Sequence, residues 1–169
     1  MDLLVSYPWN HYVHARREIT HVLRRFGDEN PVVERTGVHG VALVHTSLDP
    51  RDVVRRCKEL FHAEQVFEFA IKWVPVDYWC DTNLDEIKKV IEENVKDRIG
   101  ENETWGMKVE KRRWREYHTD EIVEYLARSI TRKVNLKSPD KIVRIDVVGD
   151  KTAVSLLKPG EIFSITAPE

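Results

Sequence analysis

Cysteine is scarce in this chain. Cys57 and Cys80 are the only two in 169 residues, and no C-x-x-C pair occurs. That excludes a disulfide framework or a thiolate zinc cluster and points to a reducing, cytoplasmic setting. Long apolar runs are missing too. Stretches such as Val41 to Val44 are strand-sized and far short of a membrane span. The start of the chain, Met1-Asp2-Leu3-Leu4, has no basic segment ahead of an apolar one, so neither a signal peptide nor a membrane partner is expected. Net charge is nearly absent as well: 27 Lys and Arg against 29 Asp and Glu leave −2, which rules out a uniformly basic coat.

Catalytic signatures are also lacking. Ser47, Ser155 and Ser164 have no G-x-S-x-G context, and Gly37-Val38-His39-Gly40 has none of the rest of a phosphate-binding loop. His11 and His14 stand three apart at a helix start, but no third ligand has a suggestive spacing. His39 and His45 read as turn and strand-face residues. No metal, cofactor or catalytic constellation is expected.

What is present is patterning. Leu3, Val5 and Tyr7 alternate with Leu4 and Ser6, as in a strand. Ala15, Ile19, Val22, Leu23 and Phe26 form one helical face that stops at Gly27. Two strand-like runs, Pro31 to Thr36 and Val41 to Thr46, flank Gly37–Gly40 as a hairpin. Asp49-Pro50 opens a second helix with Val53, Val54, Cys57, Leu60 and Phe61 inward. Phe67 to Trp73 alternates strictly and reads as the next strand. The order strand, helix, strand, strand, helix, strand is ferredoxin-like βαββαβ, so an α+β fold is expected with residues 1–79 as its N-terminal domain.

Pro75 to Thr82 reads as a connector into a second domain, residues 80–169. There Asn83 caps a helix carrying Leu84, Ile87, Ile91, Val95 and Ile99 to Gly100. A strand follows from Trp105 to Glu110. Thr119 is expected to cap a helix with Ile122, Leu126, Ile130 and Val134 inward. Strands Ile142 to Val148 and Thr152 to Leu157 hinge at Gly149-Asp150, and residues 160–167 form a last extended piece.

Charge in this half is segregated. Between Leu84 and Thr104 acids outnumber bases seven to four; from Trp105 to Arg115 bases lead five to one, and from Arg128 to Arg144 six to one. If the flanking strands are neighbours, the two basic stretches form one phosphate-attracting surface. Trp114 and Tyr117 interleave the first stretch as candidate base-stacking rings, and the start of the helix at Thr119 adds N–H donors for an anion. The plainer alternative is a solvated basic edge with Trp114 covering the rim of the core.

Four blocks carry a resemblance. They are Trp105-Gly106-Met107-Lys108-Val109-Glu110-Lys111-Arg112-Arg113, His118-Thr119-Asp120-Glu121-Ile122, Val134-Asn135-Leu136-Lys137-Ser138-Pro139-Asp140 and Val143-Arg144-Ile145-Asp146-Val147. In order and spacing they resemble the THUMP domain, an RNA-binding module of tRNA-modifying enzymes, over about residues 80–165. The resemblance implies a ferredoxin-like domain packed on an α/β THUMP domain that grips the acceptor stem and 3′ CCA end of tRNA. No catalytic domain follows in this sequence, so it looks most like the stand-alone THUMP proteins that present tRNA to a separate cytidine acetyltransferase. RNA contacts implied are Lys108, Lys111, Arg112, Arg113, Arg115, His118, Thr119, Lys133 and the loop Asn135-Leu136-Lys137-Ser138-Pro139, Asn135, Lys137 and Ser138 above all, with Arg16, Arg17, Arg24 and Arg25 on the first helix as further candidates. A small RNA-modifying enzyme using His118, or a protein-interaction domain with incidental basic patches, are the other readings.

Overall fold

The computed structural model describes residues 1–166 and divides into two units. One unit is Met1–Val76 together with the segment from Gly160 onward; the other is Asp77–Pro159.

In the first unit β1 (Asp2–Ser6), α1 (Tyr12–Arg25), β2 (Val32–Arg35), β3 (Val41–His45), α2 (Pro50–Ala63) and β4 (Lys72–Val76) follow one another. A short β10 (Phe163–Ser164) completes an antiparallel sheet in the order β10-β4-β1-β3-β2. The other four strands have the 4-1-3-2 order of a ferredoxin-like fold. Ala15, Ile19, Val22 and Leu23 of α1 and Val53, Val54 and Cys57 of α2 are buried against Leu3, Val5, Ala42, Val44 and Trp73 of the sheet. Asp49 caps α2, its carboxylate accepting from the Arg51 N–H at 2.9 Å. Phe61 departs from its expected inward place and is 40% exposed.

The second unit contains β5 (Tyr78–Asp81), α3 (Leu84–Val90) running on through a π-turn (Ile91–Val95) and a 3₁₀ turn (Lys96–Arg98), β6 (Thr104–Glu110), α4 (Thr119–Ala127), β7 (Lys133–Val134), β8 (Lys141–Val148) and β9 (Lys151–Leu157). Its sheet runs β5-β9-β8-β6-β7, with β6 parallel to both β7 and β8. Ile87, Ile91, Val95 and Ile99 pack with Ile122 and Leu126 of α4 and with Val143, Ile145 and Val154 in one core.

Several expectations change. The alternating run from Phe67 forms a strand only from Lys72, and the expected connector Pro75 to Thr82 instead ends β4 and supplies β5. The helix expected to end near Val134 stops at Ala127, and Val134 is exposed on β7 rather than inward. Thr119 is the first residue of α4 and His118 is its N-cap, with the His118 N–H donating to the Glu121 carboxylate at 3.0 Å. The segment after Gly160, assigned to the second domain in the sequence, pairs through Phe163 and Ser164 with Trp73 and Lys72 of the first. Ala167, the last residue of the expected extended piece, lies outside the described residues.

Candidate nucleic-acid interface

The first basic stretch begins where β6 ends. Here the chain is held by three anchors. The Lys111 ammonium donates to the Tyr117 carbonyl at 2.6 Å, the Gly149 N–H donates to the Arg112 carbonyl at 3.1 Å, and Trp114 is buried with its ring edge-on to Tyr117. Trp114 therefore belongs to the core and is not a free stacking platform. Burying it turns its neighbours Arg113 and Arg115 outward, and Arg113 turns the chain at φ 58°. Neither side chain has an ion-pair or hydrogen-bond partner among the described residues.

Arg112 is different. Its guanidinium reaches the Asp146 carboxylate at 3.2 Å, and Asp146 is also gripped by Arg144 at 2.8 Å. Arg144 is only 1% exposed. Arg144 and Asp146 lie two apart on β8 and so share the face opposite Val143, Ile145 and Val147. An Arg–Asp–Arg cluster with two members buried is structural, so Arg112 ties down the turn rather than presenting a free charge. Lys108 projects from β6 beside Glu110 at 3.5 Å.

The second basic stretch is thinned in the same way. Arg128 pairs with Glu124 at 3.2 Å. The Arg132 guanidinium donates to the Ile99 carbonyl at 3.0 Å. Lys141 pairs with Glu103 at 3.1 Å. The Gly100 N–H, and next Lys141, hold the Glu103 carboxyl below its usual range. Lys133 and Lys137 remain exposed.

Lys137 sits on a stiff loop. The Asn135 side-chain oxygen accepts from the Lys137 and Ser138 N–H groups at 3.1 Å each, an Asx turn. The Asn135 N–H donates to the Trp105 carbonyl at 3.0 Å. Asp140 closes the far end by accepting from the Thr104 N–H at 2.8 Å. Asn135 is thus a loop-builder. What the loop presents is Lys137, Ser138 and Leu136, whose side chain is 85% exposed. Leu136 belongs to the loop that the resemblance implied as RNA-contacting, and its exposure on a stiff turn is consistent with that place.

Strand register separates the two sets. Lys133 lies opposite Thr104 and Lys141 opposite Trp105, at the start of β6, whereas Lys111–Arg115 follows its end. Seven residues of strand put the two cationic ends roughly 20 Å apart. His118 and Thr119 are exposed beside the far end, but Asp120 and Glu121 already occupy the first turn of α4 and answer its positive dipole. That helix start is consequently a poor anion site.

Comparison with known proteins follows the same division. The family model described as THUMP domain matches residues 81–157, nearly the whole second unit. An uncharacterized protein of Methanocaldococcus jannaschii is 29% identical over 140 residues, which is 80% of this chain and 36% of that protein. The chain thus spans about a third of the curated relative it matches. Among solved structures, PH1313 from Pyrococcus horikoshii superposes with a TM-score of 0.62 at 14% identity, covering 93% of this chain and 55% of that one. TrmN from Thermus thermophilus gives 0.56 at 12% identity, over 92% and 45%. A 4-thiouridine synthetase in complex with RNA gives 0.56 at 14% identity, over 96% and 41%. At these identities the likenesses show the fold.

Proposed function

We propose that this chain, carrying a THUMP domain at residues 81–157, binds tRNA by its acceptor stem and single-stranded 3′ CCA end and presents it to a separate modifying enzyme, a tRNA cytidine acetyltransferase, without catalysing a reaction itself. The observation that carries the reading is the pairing state of the cations. Most bases of the two stretches are consumed by acids or carbonyls, and four exposed ones are left over, Arg113 and Arg115 at one end of β6 and Lys133 and Lys137 at the other. Two cationic points about 20 Å apart suit a long phosphate chain better than a compact anion. The THUMP match supports RNA as that chain, and so does the fold shared with a synthetase solved together with RNA.

Both cysteines are held as neutral thiols. Burial, then Glu86 and Asp81, push the Cys80 thiol up to about 11, and burial alone pushes Cys57 higher still. Neither is poised as a thiolate. No cluster of three His, Cys, Asp or Glu side chains suited to a metal occurs among the described residues.

The test is binding to tRNA with intact and with CCA-trimmed 3′ ends. We expect the trimmed tRNA to bind more weakly; equal affinity for both overturns the reading of the 3′ end. The adaptor role is checked by tRNA acetylation with the acetyltransferase alone and with this chain added, where stimulation is expected. Intact-mass analysis of tRNA incubated with the chain alone should show no change, and any modification would make it an enzyme.

A further inference from the structure

The first unit carries a surface that its own fold does not explain. Between β1 and α1 the chain runs Pro8-Trp9-Asn10, and Asn10 turns it at φ 71°. Trp9 is 65% exposed, and its ring contact is an edge-on approach to His39 of the β2–β3 turn, with centroids 6.0 Å apart. Beside it, the Arg35 guanidinium lies over the Tyr12 ring at 4.0 Å. Tyr12, Val13, Arg35 and His39 line one shallow depression there.

Val13 also begins a second groove, along the outer face of α1, lined by Arg16, Arg17, Thr20, His21 and Arg24. Positions 16 and 24 are two turns apart, so these arginines extend over about 12 Å. The helix has no acid to offset them. Its Glu18 is spent on the Phe69 and Ala70 N–H groups, the latter at 2.6 Å, and Glu64 takes Arg25 instead. Arg16, Arg17 and Arg24 make no ion pair among the described residues.

A row of unneutralised guanidiniums leading to an exposed indole is a combination with a specific use. The cations suit a phosphate backbone, and the indole and imidazole suit the flat face of an unpaired base. A duplex would use the arginines and leave the indole idle, since its bases are stacked away. An acidic protein would likewise have no need of the ring. We infer that the Trp9–His39 end of α1 is a single-stranded RNA site, with Trp9 as the base-stacking residue and Arg16, Arg17 and Arg24 as phosphate contacts. The inference rests on the RNA-binding reading above and extends it to the other unit.

The test uses the full chain, an eight-nucleotide oligouridylate, a blunt RNA duplex, polyglutamate and tRNA. Trp9 is the most exposed of five tryptophans, three of which are buried, so stacking should quench the protein's fluorescence when oligouridylate binds. Trp9→Ala should abolish the quench and weaken oligouridylate binding at least about fivefold, the lower end for one lost base stack, while Trp9→Phe restores most of the affinity. The triple variant Arg16→Ala, Arg17→Ala, Arg24→Ala should weaken it tenfold or more and flatten its salt dependence. Unchanged binding in either alanine variant overturns the inference, as does a preference for duplex or competition by polyglutamate as strong as by RNA. If these variants behave as wild type while Arg113→Ala with Lys137→Ala loses tRNA, this site is refuted and the proposed function stands. If the wild-type chain binds no RNA, both fall.

Discussion

Asp146 shows how one side chain decides which neighbours are available. Two arginines close on it, one of them wholly buried, so its removal strands a guanidinium away from water. Asp146→Ala should cost about 3–5 kcal/mol of stability, read by chemical denaturation. Arg112→Ala should lower stability and disturb the turn, whereas Arg113→Ala with Lys137→Ala should leave the melting temperature unchanged and weaken tRNA binding at least about tenfold. Full affinity in that folded double variant would remove both residues from the interface. None of this division was legible in the run Lys111-Arg112-Arg113, because the acid that separates Arg112 from Arg113 is more than thirty positions away.

A second residue-scale case is Asp28. Burial opposes its ionisation, but the Thr46 hydroxyl at 2.6 Å and the Ser47 and Asn30 N–H groups at 3.1 Å outweigh that and hold its carboxyl below the usual range. A carboxyl lowered by folding stabilises the native state above its unfolded value near 4 and loses that contribution as pH falls through the lowered one. Asp28→Asn should therefore destabilise the protein at neutral pH and make its stability less sensitive to acid below about pH 4, measured by denaturation at several pH values.

At the scale of elements, the stripe Ile87, Ile91, Val95, Ile99 was read as helical, yet its spacing is four throughout. In an α-helix each step of four residues overshoots a full turn by about 40°, so a straight helix would carry Ile99 well off the core. The π-turn at Ile91–Val95 winds more slowly and keeps all four inward. The departure from regular helix was legible in those four positions. The cap was read correctly: the Asn83 side-chain oxygen accepts from the Asp85 and Glu86 N–H groups at 2.9 and 3.1 Å. Asn83→Ala should cost about 1 kcal/mol, seen as a shift of the denaturation midpoint. By contrast Pro75 misled, because proline usually marks the end of a strand. Here Pro75 instead continues β4, opposite Leu3 of β1.

On the scale of the whole molecule, a charge of −2 gives little hint of nucleic-acid binding. The segmental charge pattern in the sequence was a better guide, but it overcounted, since folding neutralises more than half of the bases it tallied. With four cations left in the second unit alone, tRNA affinity should fall at least roughly hundredfold between 50 and 200 mM salt, and a flat response would refute phosphate binding. The strand, helix, strand, strand, helix, strand order of the first unit was also legible, but β5, β7 and the return of the chain to the first unit were not. Phe163 is buried there against Phe67 at 4.9 Å and Phe61 at 5.6 Å. Phe163→Ala should cost about 3–5 kcal/mol in that unit, measured by denaturation.

That return sets a clock on synthesis. The ribosome releases β4 with its outer edge bare, and the strand that covers part of it emerges roughly ninety residues later. At about 5–20 residues per second the edge waits some seconds, long enough for a chaperone or a neighbouring nascent chain to pair with it first.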